Sequence, residues 1–216
     1  MTPAQALTRT RLQLNETTAA FWTDAEICGY MWEAECILAG KLGLFQAVTA
    51  HTTVTGTSAY TFPDSLIRVS RLTYDGKKLK KIDFTERDYL DGTNYGSTRQ
   101  TGQPEAYAEW GQSVYLQPVP QSAAALQWFF LKAPAEITAA GAFSIKDETL
   151  QQMIPDYCVY KASMKDGELN RADRHYRAWE ANVLRAESMW MDKKGEDRVY
   201  HVRDEDEFAG GVLGID

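Results

Sequence analysis

Four carboxylates, two cysteines and two tryptophans share the stretch FWTDAEICGYMWEAECILAGKL, Phe21 to Leu42. Paired carboxylates can run acid–base chemistry, and carboxylates beside Cys or His can hold a metal. Their spacing points elsewhere. Thr23-Asp24-Ala25-Glu26 is a capping-box pattern, in which Thr23 accepts from the Glu26 amide and the Glu26 side chain reaches back to the Thr23 amide. Asp24 and Glu26 also fall in the first turn, where the helix dipole favours negative charge. Glu33 and Glu35 are two apart and so point to different sides of a helix. Ile27, Met31, Ala34, Leu38 and Leu42 follow at helical spacing, and Gly43 is a natural stop. The stretch reads as a capped packing helix over 24–42, with Trp22, Met31 and Trp32 as packing residues.

The remaining candidates for chemistry are scattered. His51, His175 and His201 fall in a strand, a helix and a tail, with no H-x-x-x-H or C-x-x-C spacing for zinc. His175, beside Arg174, reads as a surface helix residue. There is no G-x-S-x-G, P-loop or G-x-G-x-x-G. Cys28, Cys36 and Cys158 read as buried free thiols of a reducing compartment. No catalytic, metal or cofactor residue is assigned, and the chain reads as a non-enzyme. Two alternatives remain open: a carbohydrate-active, cell-wall hydrolase using carboxylates such as Asp88 and Glu109, and a monomeric peptide- or sugar-binding module.

The chain has 216 residues, 44% hydrophobic and 25% charged, with a net charge of −7. That composition fits a soluble globular protein and excludes wrapping by nucleic acid, which needs a surplus of Lys and Arg. No apolar run is long enough to span a membrane, and no signal peptide is visible. A soluble protein made in a cytoplasm is expected. Arg171, Arg174 and Arg177, with Lys161 and Lys165, form either a basic strip or a solvated face, and the interleaved Glu168, Asp173, Glu180 and Glu187 favour the face.

The elements that would position these residues change texture twice. A helix over about 3–14 precedes the one at 24–42. Thr-, Val- and Tyr-rich segments then give strands, with hairpins at Asp75-Gly76 and Gly111-Gln112 and a last strand in AALQWFFLKAP. Helix returns after Asp147 or Thr149. Pro155 marks its true start or a kink, and Asp166-Gly167 ends it. A longer helix over 168–193 carries Ala172, Tyr176, Trp179, Val183, Ala186 and Trp190 as a packing seam. The expected class is α+β: a helical bundle built from both ends, residues 1–45 and 147–193, with an antiparallel β domain inserted at 46–146. An extended C-terminal arm, 194–216, follows. It holds an acidic run, Asp204 to Glu207, and spaced apolar residues able to dock on a neighbour.

Several motifs then line up in order: FWTDAEI at the helix start, Tyr60-Thr61-Phe62-Pro63 through Ile67-Arg68-Val69, the hairpin from Tyr74 to Leu79, GQPEAY from Gly102 to Tyr107, and VYLQPVP from Val114 to Pro120. With the C-terminal helix pair, this order over about 10–192 resembles the head-to-tail connector or adaptor proteins of tailed bacteriophages. The resemblance implies a structural virion protein of the neck, assembled in the host cytoplasm. It implies a self-assembled ring, usually dodecameric, under the portal protein, extending the DNA channel and offering a platform to a tail or nozzle protein. Genomic DNA would pass through without sequence-specific binding, and no membrane is involved. The helical part and the arm would engage the portal, with Tyr200, Val202, Phe208, Val212 and Leu213 as its apolar contacts. Trp22, Met31, Trp32, Tyr176, Trp179 and Trp190 would pack the bundle and the subunits.

Overall fold

The computed structural model describes residues 1–90 and 100–193. The chain is α+β. Two helices come first, α1 (Pro3–Leu14) and α2 (Asp24–Leu42). Thr2 caps α1 in a full capping box with Gln5. Thr23 caps α2, accepting from the Glu26 amide at 3.2 Å. Only this half of the expected box forms, because the Glu26 carboxylate is drawn instead to Tyr30 Oη and Lys165 Nζ. Gly43 ends α2 at φ 65°, a left-handed conformation that favours glycine.

Among the described residues ten strands and a short helix follow: β1 (Gln46–Thr52), β2 (Ala59–Thr61), β3 (Leu66–Tyr74), β4 (Lys77–Lys78), β5 (Lys80–Lys81), α3 (Phe84–Leu90), β6 (Thr101–Gly102), β7 (Ala106–Trp110), β8 (Ser113–Gln117), β9 (Val119–Pro120) and β10 (Ala125–Lys132). They form two four-stranded sheets, β1-β10-β3-β4 and β2-β8-β7-β5, and a small pair, β6-β9. Asp75 and Gly76 both take positive φ, as a tight two-residue hairpin turn requires. Gly111 does the same between β7 and β8. Two two-residue pairings, β5·β7 and β6·β9, are parallel, an exception to the expected antiparallel order. Leu72, Tyr74, Leu79, Tyr107, Val114, Leu116, Leu126, Trp128 and Phe130 form the core between the two large sheets.

The last helices are α4 (Glu148–Asp166) and α5 (Leu169–Lys193). Asp147 caps α4, accepting from the Thr149 and Leu150 amides. The helix runs on through Pro155, so this proline is not its start. Gly167 at φ 82° turns the chain into α5. Tyr157 lies against Trp179 and Tyr160 against Tyr176, with ring centroids 5.1 and 5.0 Å apart, so α5 runs back antiparallel to α4. A second core joins side chains of α1, α2, α4 and α5 with Ile137, Phe143 and Ile145 of the connection after β10. Ile137, Phe143 and Ile145 therefore pack with the helices although they belong to the segment expected to be β.

Candidate functional site

Among the described residues no three His, Cys, Asp or Glu side chains gather as a metal site would require. The residues singled out from the sequence are engaged in packing and ion pairs, beginning with the stretch Phe21–Leu42. Met31 is fully buried and Trp22 nearly so. Trp32 is half-buried, and its indole N–H donates to the Pro134 carbonyl at 3.1 Å, tying α2 to the end of β10. On α5, Ala172, Trp179, Val183 and Ala186 are buried, and Trp190 is partly buried against the same core. Tyr176 stays 40% exposed. The seam thus faces the bundle, and Tyr176 lies at its open rim. The arm residues Tyr200, Val202, Phe208, Val212 and Leu213 lie outside the described residues.

The carboxylates separate as their spacing implied. Glu33 reaches Lys161 of α4 at 3.1 Å, and Glu26 reaches Lys165 at 2.8 Å. Glu35 turns inward, has no exposed surface, and accepts from the Ser144 and Ile145 amides at 3.3 and 2.9 Å. Burial pushes its carboxyl above the usual range, against the lowering effect of those two donors. From the other side, Gln151 of α4 donates to the Ile145 carbonyl at 2.7 Å and accepts from the N-terminal ammonium. Glu35 of α2 and Gln151 of α4 thereby grip the connection into α4 from two sides.

Arg11 is a second buried polar centre. Its guanidinium donates to Asp24, to Glu16 and to the Trp22 carbonyl, all within 3.2 Å. Glu16 in turn accepts from the Ala20 and Phe21 amides. Burial pushes the Glu16 carboxyl up, but those amides and Arg11 outweigh it and the net direction is downward. This network fixes the loop that sets α1 against α2. Neither Arg11 nor Glu35 was assigned a role from the sequence. The available signal was position: Leu7, Arg11 and Leu14, and Met31, Glu35 and Leu38, each place a charge where the apolar stripe predicts a core residue.

Four of the five cations that could have lined a basic strip are engaged in local pairs. Lys161 and Lys165 face α2, Arg171 pairs with Glu168 and the Gln13 carbonyl, and Arg177 pairs with Asp173. His175 differs from the expected surface residue. It is half-buried, with Nδ1 3.1 Å from Asp156 of α4. Hydrogen bonding to Lys165 lowers the Glu26 carboxyl below its usual range, so this contribution to stability is present above the ordinary carboxylate pKa and fades as pH falls through the lowered one. Lys165→Ala is expected to raise the Glu26 titration midpoint, read by NMR. It should cost under about 1 kcal/mol in urea unfolding, since the pair is partly solvated.

Glu109, a candidate acid for hydrolysis, is engaged by Lys81 at 2.7 Å. The side chain of Asp88, its partner in that reading, lies outside the described residues. Cys28, Cys36 and Cys158 are free thiols, and burial pushes all three above the ordinary thiol range. No described helix is long and apolar enough to cross a membrane.

The described residues combine packed cores, paired surface charges and anchored connections. No curated protein matches the sequence. The family model of the SU10 adaptor protein matches residues 1–203, nearly the whole chain. The chain therefore belongs to the SU10 adaptor family and is a structural adaptor of the phage head-to-tail type.

Proposed function

We propose that this adaptor assembles as a ring, a dodecamer as in the proteins it resembles, beneath the portal in the virion neck. The ring extends the DNA channel and gives the tail or nozzle protein its platform. The observation that carries the reading is the family match over residues 1–203. The bundle of residues 1–45 and 147–193 forms the upper, portal-facing body. The β domain of 46–146 faces the tail. The arm from 194 docks on the portal through Tyr200, Val202, Phe208, Val212 and Leu213. Support comes from the helical surface, where Leu12, Met164, Leu169, Leu184 and Met189 remain exposed although the core beneath is closed. Large apolar side chains on a subunit surface suit contacts with neighbours. A net charge of −7 suits a channel through which DNA slides, because phosphate is not gripped.

Electron microscopy of the protein mixed with its portal ring tests the reading. A second ring stacked under the portal is expected, and a chain truncated after Lys194 should leave the portal bare while keeping the far-ultraviolet circular dichroism of a folded subunit. Portal binding by the truncated chain would overturn the role of the arm. A protein that stays monomeric beside intact portal would overturn the ring.

A further inference from the structure

Among the described residues both large sheets end in open edges, and three of these four edges are blunted. β4 and β5 are two residues each and consist of Lys77-Lys78 and Lys80-Lys81. β2 has three residues and is followed by Phe62-Pro63. Short strands, lysines and prolines keep an edge from recruiting another chain. β1 carries none of these devices. It has seven residues, QAVTAHT, without a charge or a proline, a span of about 23 Å. It pairs with β10 without a register shift, whereas β10·β3 has two.

The register shows what this edge presents. The Lys132 amide donates to the Phe45 carbonyl, and the Thr53 amide to the Ala124 carbonyl. With the pairs Ala47↔Phe130, Thr49↔Trp128 and His51↔Leu126 between them, the odd-numbered residues face β10. The main-chain N–H and C=O groups of Gln46, Val48, Ala50 and Thr52 therefore point away from the sheet, and no described residue pairs with them. Val48 is 62% exposed beside them.

The end of α5 lies on the same side of the helical body. α2 runs antiparallel to α4, because Glu26 meets Lys165 near the end of α4 while Glu35 meets the residues just before its start. The end of α2, and β1 three residues beyond it, are thus at the start of α4. α5 has 25 residues and α4 has 19. Running back along α4, α5 overshoots its start by about 9 Å at 1.5 Å per residue. The arm begins there. Its best strand-forming run is Val199-Tyr200-His201-Val202, between Arg198 and Arg203.

We propose that β1 of one subunit accepts segment 198–203 of a second copy of this chain as an added strand. The inference rests on the ring reading above and deepens it. A ring closes head to tail, so each subunit must offer two different surfaces. An acceptor edge at 46–52 and a donor strand at 198–203 are such a pair, joined by main-chain hydrogen bonds as in other strand additions. This moves Tyr200 and Val202 from the portal contact assigned above to the subunit contact, and leaves Phe208, Val212 and Leu213 for the portal.

Val48→Pro in the full chain is the test. The Val48 amide faces away from β10, so proline there deletes only a bond to the added strand. Thr49→Pro, which deletes a bond to β10, is the folding control and should lower the melting temperature. Val48→Pro is expected to melt near wild type and to lose ring formation on the portal by about tenfold, the effect of one hydrogen bond lost at each contact. Hydrogen exchange should show the Val48 and Ala50 amides and segment 198–203 becoming protected together, only on assembly. If Val48→Pro fails to fold, Tyr200→Pro and His201→Pro are made separately in the arm; adjacent amides of a strand point to opposite sides, so at least one of the two must show the same loss of rings. Full ring formation by a folded Val48→Pro overturns this contact and leaves the ring standing. Protection of β1 in the dilute monomer overturns exchange between copies. Protection of β1 in the ring with 198–203 still exchanging makes another virion protein the occupant and also overturns it. Absence of rings from the wild type overturns both readings.

Discussion

Arg11→Met is expected to cost about 3 kcal/mol of unfolding free energy, the lower end of the range for removing one partner from a buried ion network. For a chain of this size that is a fall in melting temperature of roughly 6–12 °C. Methionine keeps the length and apolar stem of arginine, so packing is largely preserved and the loss reports the guanidinium. The Arg11 side chain is 6% exposed and the Glu16 side chain 13%. Without the cation, the Trp22 carbonyl loses its side-chain donor, and Glu16 keeps only the Ala20 and Phe21 amides. The share from Asp24 is small, because that side chain is 54% exposed and can turn to water. Arg11→Lys should recover less than half of the loss. An ammonium cannot span two carboxylates and a carbonyl with the fixed fork of a guanidinium. Urea unfolding of both variants checks this, and a Lys variant equal to wild type would show that only the charge matters.

The helices were legible because their ends carry chemistry readable one residue at a time. Thr23 and Asp147 cap, and Gly43 and Gly167 stop, where their types require. The Asp75-Gly76 hairpin is legible for the same reason. What escaped depends on partners far along the chain. Glu35 is held by amides 109 and 110 residues away, and the pairing of β5 with β7 spans the whole α3 connection. No local periodicity encodes such pairings. The half-formed box at Thr23 has the same origin, since Lys165, 139 residues on, takes the carboxylate that the local pattern assigns to the cap. The adaptor resemblance was legible only as an ordered series of short motifs. The surfaces that would make a ring are edge groups and exposed side chains, visible only once the sheets are built.

Glu35 gives the second large effect, and its sign runs opposite to that of the surface carboxylates. Its folded pKa is raised, with burial as the main cause. Below the ordinary carboxylate pKa both folded and unfolded states are protonated, and the group adds no pH dependence. As pH rises through that value the unfolded chain ionises first, so stability falls, until the folded pKa is passed and the loss is complete. Glu35→Gln removes the titration. At about pH 4 it should be less stable than wild type by roughly 1 kcal/mol, because an amide has one accepting oxygen for two N–H donors. At neutral pH the deficit should shrink or reverse, because the wild type then carries the burial cost of its charge. Glu35→Ala should be worse than Gln at both pH values, losing about 3 kcal/mol near pH 4, since it orphans the Ser144 and Ile145 amides and leaves a cavity beside α2. Urea unfolding of the three proteins at the two pH values decides the matter. A gap between wild type and Glu35→Gln that is independent of pH would mean that Glu35 keeps an ordinary pKa and is a solvated anchor. A gap that closes with rising pH would mean that the grip on the start of α4 is tightest in acid. The connection between the sheets and the helices would then be a part of this adaptor that neutral pH loosens.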